Sequence, residues 1–426
     1  MIAGLRHRHA LGILCGALLL CAAPSAQAAS IARAPVDPSH YPAGATRAAF
    51  RPRASEFAHA AASKSKRKKP KKAKLRGNAA RALAAFEAMQ THYYLLGSGL
   101  YAGEPFSYLW PFSQALAVTV SLANIPHLGV SMARELKARE VGLRSYLDAN
   151  NSGAEEGVFT STLAAFDGTV APPAGPGGTK YYDDNDWVGI ELVRLYKLTH
   201  EPSVRESAEA IMAFEMAGWQ TNPELGCPGG IPFDNAVTNT DRNTVTTAPA
   251  AELALQLYGL TRNVQYLRFA EMAYQWVRTC LLQPGELYAD HVNPKGVVEG
   301  SLWSYNQGTM IGAGAMLYQA TGNSGYLYQA RQTARAAVAY FTPERLAVEN
   351  PFFPSVFFRN LMYLDSITHD PPGKAPAQNY VNYAWQSRRL SDNVFVAGTP
   401  PSAQLLYQAA VAQIYALLSE PASTYF

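Results

Sequence analysis

Two adjacent carboxylates, Asp183 and Asp184, sit in the segment Tyr181-Tyr182-Asp183-Asp184-Asn185-Asp186-Trp187, which carries three acids in four positions. A single Asp at a helix start caps it by accepting a free backbone N–H. Two in succession go beyond capping. Neighbours at a helix start hold their Cβ atoms about 5–6 Å apart, and like charges that close keep a proton on one carboxyl near neutral pH. One protonated acid beside one carboxylate is what cleavage of a glycosidic bond requires: a proton for the leaving oxygen, and a nucleophile or base at the sugar carbon. Capping plus surface charge is the plainer reading of the same residues.

Other groups of the right kind stand in a few long loops. Trp110, Tyr182, Trp187, Trp303 and Tyr305 offer flat rings for the apolar faces of sugars and polar tips for hydroxyls. Asn239, Asn306 and Gln307 add uncharged hydrogen-bonding amides, with Asp186, Asp241 and Asp290 as reserves. The bland alternatives are core rings, loop-capping amides and solvated charges. With no C-x-x-C and no H-x-x-x-H, the chain carries no metal signature, and no organic cofactor is expected.

Something rigid must bring these loops together. From Asn78 onward no strand-like alternation is found, and one phrase recurs: "LYKLT" at 195–199, "LYGLT" at 257–261 and "LYQAT" at 317–321. A period near sixty with two helices per period is a helical-pair repeat. One helix of each pair is amphipathic, as in Val264, Leu267, Ala270, Tyr274 and Val277 against Arg268, Glu271, Gln275 and Arg278; it lies outside with one face in water. The other is apolar all round, as in "GTMIGAGAMLY" at 308–318, and lies inside. The alternation predicts outer helices near 78–96, 132–148, 202–217, 263–280, 324–341 and 375–389. Inner helices follow near 111–126, 184–199, 244–260, 304–321, 350–366 and 402–418. Six pairs closing on themselves make an all-α (α/α)6 barrel, with the loops before the inner helices open at one end. An open helical solenoid is the competitor.

"YYDDNDW" followed by "LVRLYKLT", then "GGI" with "AVTNT", then "LWSYNQGTMIGAGAMLYQATGN" resembles glycoside hydrolase family 76, from about Phe106 to the end of the chain. That resemblance implies an (α/α)6 barrel, endo-α-1,6-mannanase activity on an α-mannan, and a retaining mechanism. Asp183 would be the nucleophile and Asp184 the general acid/base, with Tyr305, Asn306, Gln307 and Asn239 along the cleft. Val188 and "GGIPF" stand where the family tends to have further aromatics, which puts the exact glycan in question. The alternatives are a hydrolase of another polysaccharide on this fold, and a noncatalytic glycan-binding or envelope protein.

The N-terminal region is of another kind. Arg6 and Arg8, the apolar run Leu11–Cys21 and Ala26-Gln27-Ala28 make residues 1–28 a signal peptide, so a secreted, extracellular protein is expected. Residues 29–77 form a basic Ala/Pro/Lys-rich tail, expected to be disordered, and 78–426 the barrel domain. Residues 1–77 hold fifteen Lys/Arg against two acids, leaving the rest at −9 within a whole-chain charge of +4. The tail suits anionic envelope polymers; the acidic remainder gives no support for nucleic-acid binding, and no stretch suits a transmembrane segment. Cys227 and Cys280, the cysteines left after cleavage, read as one disulfide.

Overall fold

A computed structural model describes residues 75–148, 163–398 and 402–426, all within one compact unit. The expected signal peptide and nearly all of the basic tail lie outside the described residues. Among those described, the chain forms α1 (Gly77–Tyr93), α2 (Leu109–Asn124), α3 (Ala133–Arg144), α4 (Tyr182–Thr199), α5 (Pro202–Gly218), α6 (Thr244–Thr261) and α7 (Val264–Leu281). There follow α8 (Ser304–Thr321), α9 (Ser324–Tyr340), α10 (Pro343–Val348), α11 (Phe352–Thr368), α12 (Lys374–Ser387) and α13 (Leu405–Leu417).

The expected six pairs are present. Helices α2, α4, α6, α8, α11 and α13 each pack on the next, and α13 packs back on α2, so the ring is closed. This is an (α/α)6 barrel rather than an open solenoid. Helices α1, α3, α5, α7, α9 and α12 form the outer layer. The inner helices are buried along almost their whole length, α13 from Leu405 to Leu417 with one half-buried exception, Tyr407. Their small residues set the spacing: a Cβ added to Gly308 of α8 would come within 2.7 Å of the Phe357 Cα in α11.

The recurring phrase has a local cause. Each Thr that ends it bonds back through its hydroxyl to the carbonyl four residues earlier, as Thr199 to Leu195, Thr261 to Leu257 and Thr321 to Leu317. The same hydroxyl then accepts the N–H two residues on, from Glu201, Asn263 and Asn323. Between them His200, Arg262 and Gly322 take left-handed backbone, which ends the helix and turns the chain into the outer layer. The structure adds a fourth copy, Thr368 with His369 and Asp370, which the sequence disguises as "LDSITHD".

Two outer helices are shorter than expected. The first stops at Tyr93, and the second at Arg144, where Leu147–Asp148 leaves the helix to pair with Ala165–Phe166. Asp148 is thereby free to meet Lys180, at 3.4 Å. Helix α10 was not expected; it is a single extra turn and a half between α9 and α11. No helix among the described residues is long and apolar enough to cross a membrane.

A buried ion network ties the inner ring together. Arg194 on α4 contacts Glu191 at 2.7 Å and Glu420, beyond α13, at 3.0 Å, while Arg359 on α11 reaches Glu191 at 2.6 Å. Burial pushes the Glu191 carboxyl up, but the two guanidiniums outweigh it and hold it below its usual value. Removing one partner strands a buried charge, so Arg194→Met should cost about 3–5 kcal/mol. The urea unfolding midpoint should fall accordingly, and an unchanged midpoint would refute this.

Candidate active site

The mouth of the barrel is built where the inner helices begin. Asn185 locks the start of α4: its Nδ2 donates to the carbonyls of Phe166 and Tyr181, and its Oδ1 accepts from the Phe166 N–H. The segment before α4 is stitched to the 226–243 loop. Tyr182 N–H donates to Phe233 O, Lys180 N–H to Asn235 Oδ1, and Asn235 N–H to Lys180 O. Tyr181 bridges Asp234. These bonds fix Asp183 and Asp184 in the first turn of α4 and carry Asp234 up beside them.

The two carboxyls have different surroundings. Burial raises Asp183 to about 7; the backbone N–H groups of Asp184 and of Asp183 itself pull the other way, Asp234 adds to the rise, and Trp187 opposes it. Asp184 is 7% exposed and is pushed well above its usual value, first by burial and then by the charge of Asp183. Nothing acts to lower it. Two crowded, desolvated acids thus divide into one with amides favouring its ionised form and one that keeps its proton.

Aromatic rings converge below and beside the pair. Phe352, opening α11, is the hub: Trp110 of α2 and Trp187 of α4 meet it edge-on at 5.3 Å, and Tyr305 of α8 lies at 6.3 Å. Phe353 packs on Tyr305 at 4.1 Å and on Trp303 at 5.6 Å. Asp290, Asp183 and Glu349 all raise the Tyr305 phenol after burial, which places three carboxyls around one ring. Glu349 itself caps α8, accepting from the Ser304 N–H at 3.1 Å and from its hydroxyl; burial lifts it to about 7.

The sequence profile described as glycosyl hydrolase family 76 matches residues 145–367, more than half of the chain and, of the residues named at this mouth, all but Trp110. The chain belongs to glycosyl hydrolase family 76. Solved structures agree on the fold. A family 76 glycoside hydrolase (mannosidase) from Bacteroides thetaiotaomicron superimposes with a TM-score of 0.69 at 19% identity, over 80% of this chain and 98% of that one. An inactive variant of an α-1,6-mannanase of Salegentibacter sp., substituted at two adjacent aspartates and in complex with α-1,6-mannotetrose, gives 0.62 at 22% identity, over 81% and 99%. A mannan endo-1,6-α-mannosidase of Saccharomyces cerevisiae is 24% identical over 151 residues, 33% of each protein. The chain spans less than half the length of the curated relatives that it matches, 44% and 33%.

Within this family 76 barrel the expected residues divide. Asp183, Asp184, Trp110, Trp303 and Tyr305 gather at the mouth. Asn306 is buried and donates to Asp290 Oδ1 at 3.4 Å, and Asn239 donates to Asp234 Oδ2 at 3.1 Å, so each amide orients an acid. Three residues do other work. Tyr182 is turned into the core, stacked on Phe214 at 4.5 Å, and is no sugar platform. Gln307 is consumed by backbone: it donates to Tyr288 O and Trp303 O and accepts from Tyr288 N–H, clamping α8 to the Leu287–Tyr288 strand. Trp187 is 5% exposed and floors the site rather than lining it. Asp186 is fully buried, with neither oxygen hydrogen-bonded, so it is neither a solvated charge nor a reserve for sugar hydroxyls.

Sequence reasoning missed Asp234, Glu349 and Phe352 as site residues. Asp234 carries a signal in hindsight, an Asx-turn with its Oδ1 accepting from Ala236 N–H at 2.9 Å. Cys227 and Cys280 face one another across the loop and α7, with Cα atoms 6.1 Å apart, a span that suits a disulfide.

Proposed function

We propose that the chain is a secreted glycoside hydrolase that cleaves α-1,6-linked mannan, or a related α-mannan, with retention of configuration. The observation that carries this is the pair of buried, oppositely supported carboxyls at the mouth of a family 76 barrel. Asp183, whose carboxylate is favoured by backbone N–H groups, attacks the anomeric carbon while Asp184 gives its proton to the departing glycosidic oxygen. Asp184, now ionised, takes a proton from water. The resulting hydroxide displaces Asp183 from the glycosyl-enzyme, and the proton taken up restores Asp184. Trp303, Tyr305 and Trp110 supply ring faces, and Asn239, Asp234 and Asp290 the hydroxyl contacts, with the buried Asn306 holding Asp290 in place. That a relative with two adjacent aspartates replaced holds α-1,6-mannotetrose supports both the pair and the linkage.

The test is incubation with linear α-1,6-mannan, followed by analysis of the released sugars and of their anomeric configuration by NMR. Short mannose oligomers first formed as the α-anomer are expected. Products first formed as the β-anomer would exclude retention, and an absence of products would exclude this substrate.

Export rests on the basic, apolar and small-residue pattern of residues 1–28, and we assign the basic tail to anionic envelope polymers. A disulfide between Cys227 and Cys280 follows from the same compartment. Closing a loop of 53 residues, it would contribute about 4 kcal/mol on a chain-entropy estimate. The denatured, unreduced protein should show no free thiol among these two, and reduction should lower its Tm. Two thiols titrating before reduction would refute the bond.

A further inference from the structure

The mouth is lined by acids, and every cation near it with a described contact is already engaged. Asp234 stands close enough to Asp183 to raise it. On the other side a second group sits on the short sheet formed by Arg242–Asn243, His291–Val292 and Val298–Glu299. There the carboxylates of Asp290 and Glu299 and the His291 ring hold their polar atoms within 4.8 Å of one another. Asp241 faces the same ring at 3.6 Å, and Asp290 reaches back to Asn306 and Tyr305, so the two groups line one continuous wall.

The nearby cations offer little to offset these charges. Arg242 is buried, its guanidinium donating to the carbonyls of Gly226, Cys227 and Thr240. Lys180 is 1% exposed, between Asp167 at 2.9 Å and Asp148 at 3.4 Å. His291 is held between Asp290, at 2.8 Å, and Asp241. Lys295 is exposed, in the turn that joins His291–Val292 to Val298–Glu299. A cleft whose walls carry one sign of charge, with low-dielectric rings between them, focuses that charge on whatever enters.

We propose that the mouth is an electrostatic filter: it admits uncharged glycan chains and rejects those bearing phosphate, sulfate or carboxylate groups. This deepens the hydrolase reading, since it rests on the mouth being the glycan cleft, and it narrows the substrate class to neutral mannan. Asp241 and Glu299, on the rim and outside the reacting pair, set the rejection.

The test compares one α-1,6-mannan backbone in phosphorylated and phosphatase-treated form, in chelator-containing buffer of low ionic strength. The phosphorylated form should show at least ~10-fold lower kcat/KM, the gap closing toward 1 M salt as the screening length falls to about 3 Å. Asp241→Lys with Glu299→Lys should raise its relative rate. Equal rates on the two forms at low salt would overturn the filter. Should neither form be cut, the hydrolase reading fails while the filter is still decided by quenching. With each quencher's constant divided by its value for free N-acetyltryptophanamide, the part of the tryptophan emission lost in Trp303→Phe, or in Trp110→Phe, should be quenched more by caesium than by iodide. A normalised iodide constant as large as that of caesium would overturn the proposal by itself.

Discussion

Asp183→Asn should lower kcat on α-1,6-mannan by about 10⁴-fold or more, because the amide cannot form the glycosyl-enzyme. Asp184→Asn should cost about 10²–10⁴-fold, the usual worth of a positioned general acid. The two losses differ in kind. A substrate with a good leaving group does not need the proton from Asp184, so its first step should survive in Asp184→Asn, and a small anion such as azide should rescue the second. Neither manoeuvre should help Asp183→Asn. The wild-type pH profile should carry the same signature. Asp183 must be ionised to attack, so kcat/KM should fall as pH drops below about 7; Asp184 must be protonated, and burial together with the charge of Asp183 pushes it up, so a second, alkaline limb should follow. The limbs belong to the coupled pair rather than to either residue alone. A profile flat from pH 5 to 7, or full rescue of Asp183→Asn by azide, would exclude this division of roles.

The second large effect concerns acids that the reaction does not use. Asp186 on α4 and Glu215 on α5 are fully buried, none of their four carboxyl oxygens is hydrogen-bonded, and burial followed by neighbouring carboxylates pushes both well above their usual values. Glu252 on α6 is pushed the same way by burial, against the pull of Arg359 and Asn360. A carboxyl whose folded value is raised binds its proton more tightly folded than unfolded. Its stabilising contribution is complete below about pH 4 and is lost as pH rises toward the folded value. The protein should therefore lose stability as pH rises above the ordinary carboxylate range, by up to about 1.4 kcal/mol per pH unit for each such group until its folded value is reached. Asp186→Asn and Glu215→Gln, which fix the neutral form at the same volume, should each flatten this slope and raise Tm at pH 8. Urea titrations at four pH values measure it, and parallel slopes for variants and wild type would refute it.

Much of this architecture was legible because inner and outer helices face different solvents. The α7 stripe of Val264, Leu267 and Ala270 and the all-apolar α8 could be told apart without coordinates. The repeat was legible as far as its cap kept the Leu-Tyr spelling, so the copy at Thr368 escaped notice. Residues were placed at the mouth where chain position sufficed, as for Asp183, Asp184 and Tyr305. Position misled where direction mattered: Tyr182 and Gln307 stand in the first turns of their helices beside residues that do face the mouth, yet one turns onto Phe214 and the other onto backbone. Asp234 and Glu349 come from loops whose path is set by distant pairings with Lys180 and Ser304, which local pattern does not encode.

The parallel run of the six inner helices has an electrical consequence. All begin at the mouth, so the partial positive charge of each helix start, roughly half an elementary charge, is directed at the same small region. The outer helices run the other way, but their ends stand about a helix diameter, ~10 Å, further from the axis. This ring of aligned dipoles makes ionised carboxylates at the mouth less costly than they would be elsewhere in so apolar a barrel. It also disfavours the positive charge that grows on a sugar ring as its glycosidic bond breaks. The acids at the mouth must reverse the sign of the field that the scaffold sets up, and neutralising them would leave a cleft attractive to anions and hostile to an oxocarbenium ion.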